Sequence, residues 1–485
     1  MSVPAAESSH GESSQDIPFF ADRRKVYPRH VRGAVRSIKW AVLIACLAVY
    51  YIAPWIRWDR GPGHPDQALL IDMPGRRAYF LNLEIWPQEV YYIAGLLILG
   101  AIGLFFVTSL FGRMWCGFTC PQTVWTDLFM WAERLIEGDR MARVRLDQQP
   151  LTLAKLGKKL AKHGVWLVIA AATGGAWIMY FNDAPTVTRD LLTAQASTTV
   201  YFFAGLFTAT TYLLAGWARE QVCTYMCPWP RFQSAMVDDQ TLTVTYRGWR
   251  GEPRGKHHKG NTWQGRGDCV DCHACVAVCP TGIDIRDGLQ LECIGCGLCI
   301  DACNEIMDRV ERPRGLIGFD TYTNRAAHER GSTAHPRFIR PRTVVYLLIL
   351  LAAIGGMLAI VLERTTASLT VLADRSPLFV RLSDGSIRNS FVVKIQNKAG
   401  IARTFDLRAV GLNTATLQVA EGEVPAVDAA VGVPLLVRPD SVATFHAYVH
   451  APKTGQAQIG FMLIARARED GESVDYHATF RGPPN

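Results

Sequence analysis

Apolar residues fall into long unbroken runs over the first three quarters of this chain and into short, interrupted runs over the last quarter. Five stretches carry the long runs: Trp40–Ile56, Val90–Phe111, Val165–Phe181, Thr199–Trp217 and Val344–Leu362. About 20 apolar residues are needed to cross a bilayer as a helix. The first and third stretches have only 17 clean residues, but flanking Trp, Tyr and Arg favour spans. The pattern predicts an α-helical transmembrane bundle of about five spans. Beyond residue 363 the runs change character. Phe391–Gln396, Thr404–Leu412, Ala443–Val449, Gln458–Ala467 and Val474–Arg481 are rich in β-branched and aromatic residues. Turn signals at Asn397–Gly400, Pro439–Asp440 and Asp470–Gly471 separate them, so an all-β immunoglobulin-like sandwich is expected.

Charge orients the spans. Residues 23–39 hold seven Lys or Arg and no acid, and the segment between the second and third spans holds nine. The segment between the first and second spans balances its four basic residues with acids, and that between the third and fourth has only Arg189. The positive-inside rule then predicts a multi-pass protein of a bacterial inner membrane. The N-terminus, the 112–163 loop and the 218–342 segment are expected in the cytoplasm, with the C-terminal domain in the periplasm. The predicted organisation is a tail (1–39), a four-span region (40–217), a cytoplasmic segment (218–342), a fifth span (343–363) and the β-domain (364–485). Residues 1–22 are polar and Ser-rich, as disordered segments are. The first apolar run starts too late for a cleavable signal peptide. The net charge of +8 is accounted for by topology and membrane lipid, without nucleic acid. The patch Lys256, His257, His258, Lys259 reads as a solvated tether near anionic lipid.

The 13 cysteines are the chemistry. Cys269, Cys272, Cys275 and Cys279-Pro280 form C-x2-C-x2-C-x3-C-P, and Cys293, Cys296, Cys299 and Cys303 repeat it 24 residues later, with Asn304 in place of the proline. Three cysteines spaced by two wrap three corners of a cubane, and the fourth comes from the other run. Two 4Fe–4S clusters are therefore expected in a ferredoxin-like (α+β) domain at about 260–312. Cys269, Cys272, Cys275 and Cys303 would hold one, and Cys293, Cys296, Cys299 and Cys279 the other. Gly295 and Gly297 let the second loop fold tightly and turn its amides toward sulfur. Zinc ribbons use paired C-x2-C spacings instead. His273 lies inside the first loop and reads as solvent-facing rather than as a ligand. Clusters held by four thiolates leave no iron open to substrate, so the domain is an electron wire.

Two further pairs, Cys116/Cys120 and Cys223/Cys227, each spell C-x3-C-P at the cytoplasmic end of a span. At helical spacing each pair shares a face, and the proline disfavours helix at the cysteine before it. Four such thiols, with Met226 or Met114, would suit a soft ion such as Cu(I). They also suit redox dithiols or plain apolar packing. Cys46 reads as packing. His64 and Met73, in the outer loop, are isolated candidates for copper contact.

The order of basic N-terminus, spans, WCGFTCPQTVW, CTYMCPWPRFQ, double ferredoxin run, last span and outer β-domain resembles the cytochrome c oxidase accessory proteins of the CcoG family, also called FixG or RdxA. The resemblance runs from about Arg23 to the end. The C-x3-C-P motifs are also similar to those of the membrane ferredoxins of nitrate and nitrous-oxide respiration, and the immunoglobulin-like tail favours the oxidase-accessory family. The resemblance implies a membrane-bound polyferredoxin that reduces Cu(II) to Cu(I) for assembly of a cbb3-type oxidase. Cys116, Cys120, Cys223 and Cys227 would be its catalytic copper or redox thiols. Oxidase subunits or copper-delivery proteins would be its partners, and the electron donor is unidentified. A quinol-linked relay, which needs a quinone pocket among the spans, and a non-enzymatic assembly scaffold are the alternatives.

Overall fold

A computed structural model describes residues 25–61, 64–257, 263–420, 426–453 and 456–483. The chain divides into two compact units, Met1–Gly355 and Gly356–Asn485. The expected tail at residues 1–22 and two members of the basic patch, His258 and Lys259, lie outside the described residues.

In the first unit, helix α1 (Ala34–Ile52) is followed by a small antiparallel sheet of β1 (Leu69–Asp72), β2 (Arg77–Phe80) and β3 (Leu83–Ile85). Helices α2 (Tyr91–Phe111), α3 (Met114–Phe118), α4 (Pro121–Glu137), α5 (Arg140–Gln148), α6 (Leu153–Ile178), α7 (Ala184–Leu192) and α8 (Thr198–Thr211) come next. The chain continues through α9 (Trp229–Met236), β4 (Thr243–Tyr246), α10 (Gly248–Gly251), α11 (Ala274–Val278), α12 (Leu298–Arg309), β5 (Ile317–Asp320) and α13 (Tyr322–Glu329). Helix α14 (Pro341–Leu362) carries the boundary between the units.

Among the described residues, four helices are long and apolar enough to cross a membrane: Ala34–Trp55, Pro87–Phe111, Thr198–Ala218 and Pro341–Leu362. The remaining expected span lies within α6, whose first turns carry Lys155, Lys158, Lys159 and Lys162 and dilute its apolar content. At 1.5 Å per residue this 26-residue helix is about 39 Å long. At its start Lys159 pairs with Asp147 (2.6 Å) and Glu137 (2.9 Å). Just past its end Met179 and Tyr180 accept hydrogen bonds from Gln67 and Ile71, beside and within the β1–β3 sheet. The sheet was not anticipated: its strands are only three or four residues long, too short for alternation to show.

Helix α1 starts at Ala34, earlier than the apolar run suggests. Arg36 and Lys39 are buried in its first turns because Asp127 of α4 pairs with both, at 2.8 and 3.5 Å. The π-helical turns Tyr212–Ala218 and Val222–Met226 follow α8, separated at Arg219, whose φ is +48°. Glu133 of α4 is buried against Arg143 (3.1 Å), Arg219 (2.8 Å) and Lys162 (3.9 Å), joining α4, α5, α6 and the π-helical segment in one charge network.

The second unit is a sandwich of two antiparallel sheets. One has the order β11 (Val427–Asp428), β10 (Thr416–Val419), β13 (Ser441–Ala451), β8 (Ile387–Asn397), β6 (Ala367–Ala373), with β7 (Val380–Arg381) also on β8. The other has β12 (Val433–Val437), β9 (Arg403–Val410), β14 (Gln458–Ala467), β15 (Ser473–Arg481). Inward residues alternate along each long strand, and Phe391, Val393, Phe405, Leu407, Phe445, Phe461 and Phe480 fill the core. All five runs expected to be strands are strands. The strands not foreseen include the two-residue β7 and β11, which exist only through pairing.

Candidate metal centres

The two ferredoxin loops have the same backbone. Each turns through the left-handed region at the second and fourth positions after its first cysteine: Asp271 (φ +51°) and His273 (+54°) in one, Gly295 and Gly297 (both +68°) in the other. Glycine takes this conformation freely, whereas other residues pay for it. The first loop is therefore clamped. Arg286 donates to Asp271 Oδ1 at 2.5 Å and its Nη2 stands 2.8 Å from His273 Nδ1. His273 is exposed and engaged there, apart from the thiols.

The second loop is closely covered at those positions. A Cβ on Gly295 would fall 3.2 Å from the Arg113 carbonyl group, and one on Gly297 would fall 3.0 Å from Val35. Cys272 of the first loop is exposed, while the second loop is pressed against the start of α1 and against α3.

Cys303 lies within electrostatic reach of Cys275, Cys269 and Cys272, and Cys299 chiefly of Cys296, Cys293 and Cys279, with a smaller effect from Cys275 of the first run. Backbone amides of Gly295, Leu298, Val276 and Ile317 donate toward the sulfurs of Cys293, Cys296, Cys275 and Cys303. Burial pushes the Cys293 and Cys303 thiols up to about 12 and Cys275 to about 11. Arg286 near Cys275 and Arg113 near Cys293 offset only part of that cost, and thiolate-bound iron would supply the remaining positive charge. Among the described residues, no three potential ligands stand at metal-binding separations, so the grouping is one of loops and not yet of a coordination sphere. The donor set, amide orientation and partition into two groups fit two cubanes.

Two side chains missed from the sequence hold this domain in place. Asn304 accepts from the Gly315 amide at 2.9 Å, a local role that a proline there would not fill. Asp301 of α12 accepts from the amides of Val35 (3.3 Å) and Arg36 (2.7 Å), capping the first span from a distance of more than 260 residues. A Cβ on Gly33 would displace that carboxylate from the two amides.

The C-x3-C-P pairs do not lie on continuous α-helices as expected. Cys116 sits in the five-residue α3, and Cys120 is extended (ψ 129°) as the residue that starts α4. Cys223 lies in a π-helical turn, and Cys227 is extended (ψ 122°) with its amide bonded five residues back to Val222 O at 2.8 Å. Both chains break at the cysteine before proline, as anticipated. The four thiols lie in one neighbourhood, close enough for Cys116 to feel Cys120, Cys223 and Cys227 electrostatically, and Cys223 to feel Cys120 and Cys227. Burial, then the neighbouring thiols, raise Cys116 and Cys223 to about 12. Cys116 and Cys223 pack in the same apolar cluster as Cys296 of the second ferredoxin loop. Met226 is exposed, as is Met73 in the segment between α1 and α2. His64 lies in that same segment and Cys46 in α1, outside this cluster.

Residues 218–322 match the family described as a 4Fe-4S dicluster domain, and residues 93–138, which include Cys116 and Cys120, match a 4Fe-4S binding domain. With four membrane-length apolar helices, these define a membrane-associated 4Fe–4S ferredoxin-type electron-transfer protein. Residues 357–483 match the IG-like fold at the C-terminus of FixG. The chain is 48% identical to nitrogen fixation protein FixG of Rhizobium meliloti (strain 1021), over 96% of this chain and 94% of that one. It is 46% identical to protein RdxA of Cereibacter sphaeroides, over 93% and 95%, and 51% identical to protein RdxB of the same organism, over 81% and 83%. The chain belongs to the FixG/RdxA family.

Proposed function

We propose that this protein is a cupric reductase serving assembly of a cbb3-type haem–copper oxidase, with copper-delivery proteins or oxidase subunits as its partners. The observation that carries the reading is the packing of Cys116 and Cys223 against the apolar cluster that contains Cys296. Cys269, Cys272, Cys275 and Cys303 hold one cluster, and Cys293, Cys296, Cys299 and Cys279 the other. When bound, each supplies reversible one-electron chemistry, and one Cu(II) takes one electron to become Cu(I). The exposed first loop, at Cys272, faces the donor. Cys116, Cys120, Cys223 and Cys227 offer soft sulfur that favours Cu(I) over harder ions. Helix α6 serves as a fifth span in this reading. The N-terminal segment and the ferredoxin domain then lie in the cytoplasm and the sandwich in the periplasm.

Replacing Cys116 and Cys223 with serine is expected to abolish Cu(II) reduction by the full-length protein while leaving cluster absorbance intact. Undiminished reduction in that variant removes the reading. A quinol-fed relay is the second reading. It is favoured by a mostly apolar groove lined by Tyr50, Trp125, Trp177 and Phe207 that reaches Pro121, next to Cys120. Oxidation of a short-chain quinol by purified protein, lost in Trp125→Ala, would support it.

A further inference from the structure

The two thiol systems meet at a backbone junction. Gly117, inside the first C-x3-C-P motif, lies against the second ferredoxin loop so closely that a Cβ would fall 2.8 Å from Cys296 Cα, 2.9 Å from its nitrogen and 2.9 Å from Ile294 O. Real Cβ atoms do not make such contacts with backbone, so only glycine allows this approach. The contact is reciprocal, since Gly295 is pressed on the Arg113 carbonyl group. Arg113 then locks both sides. Its guanidinium donates to the carbonyls of Leu291 and Cys293 (3.0 Å) in the ferredoxin run and of Pro230 (2.6 Å) just after the second motif. Behind the junction, Cys116 Sγ donates to Gln233 Oε1 at 3.1 Å, and Thr123 Oγ1 donates to the Cys116 carbonyl at 2.6 Å. Gln233 is fully buried. The first loop carries Asp271 and His273 where the second carries its two glycines, so only the second is built to dock.

We infer that the Gly117–Cys296 contact, locked by Arg113, is the exit through which electrons leave the ferredoxin domain for the four membrane-edge thiols. This rests on the reductase reading above. Gly117 and Arg113 are positioning residues: they touch neither copper nor iron but set the gap between the two systems. Arg113 reaches the three carbonyls through two nitrogens held apart in a planar fork, a spread that the single nitrogen of a lysine does not reproduce.

The test uses full-length, anaerobically purified protein in detergent, reduced with dithionite and mixed with Cu(II). Gly117→Ala and Arg113→Lys are compared with the wild type and with Gly100→Ala, a control in open space on α2. Iron content and the EPR signal and potential of each cluster are measured beside the reoxidation rate. Both variants are expected to slow Cu(II)-dependent reoxidation several-fold, since each opens the contact that sets the gap for electron transfer. They are also expected to shift the signal of one cluster only. Wild-type rates with both cluster signals unchanged, or equal shifts in both, overturn the inference. If Gly117→Ala loses iron, Arg113→Lys decides by the same criteria. A wild type whose reduced clusters ignore Cu(II) sinks the reductase reading instead, and the one-cluster shift still decides whether the junction serves the second loop.

Discussion

At the scale of single residues, one backbone shape is held in two ways. The second loop reaches positive φ with Gly295 and Gly297, while the first reaches it with Asp271 and His273 and needs Arg286 to clamp them. Residues in such conformations cost on the order of 1–3 kcal/mol each unless their surroundings hold them. Arg286→Ala is therefore expected to lower iron incorporation, with loss of one of two reduced-cluster EPR signals. Adding Asp271→Gly and His273→Gly is expected to restore it, because glycine needs no clamp. Full iron content in Arg286→Ala would show that the clamp is dispensable. Arg286 itself carries no spacing signal. Only its meeting with residues 13 and 15 positions earlier makes it matter.

At the scale of elements, the π-helical turn Val222–Met226 replaces the α-helix that the i, i+4 spacing suggests. Such turns are rare and concentrate at functional sites. Here the wider turn, ended by Pro228, carries Cys223 inward toward Cys116 while Cys227 becomes extended. Deleting Thr224 removes the extra residue and shortens the spacing between the two cysteines. The variant is expected to keep both clusters and its helical circular dichroism. In metal-free protein its Cys223 and Cys227 are expected to alkylate faster than in the wild type. Unchanged alkylation would mean that the turn does not place the thiols.

Pattern and structure agree where an element makes its own reason. The apolar runs became α1, α2, α8 and α14, and the alternating runs became β8, β9, β13, β14 and β15. They part where contact decides. Helix α1 begins six residues before its apolar run because Asp127 neutralises Arg36 and Lys39. The basic first turns of α6 are likewise held by acids of α4 and α5.

At the scale of the whole molecule, the C-terminal unit has a complete core of its own, with Phe391, Leu407, Phe445 and Leu463 drawn from both sheets. Residues 364–485 expressed alone are expected to fold and to unfold in one cooperative thermal transition. A broad, non-cooperative melt would show that the sandwich needs the rest of the chain. The sequence by itself determined the chemistry and the classes of structure. Cubane ligation is written in spacings of two and three residues, membrane helices in apolar length, and the sandwich in alternation, all of them local properties of the chain. Only the tertiary structure decided which ferredoxin loop meets the C-x3-C-P thiols. That choice is made where Gly117 touches Cys296, by a missing Cβ and by two bonds of an arginine to carbonyls 178 and 180 residues away, a distance no local pattern encodes.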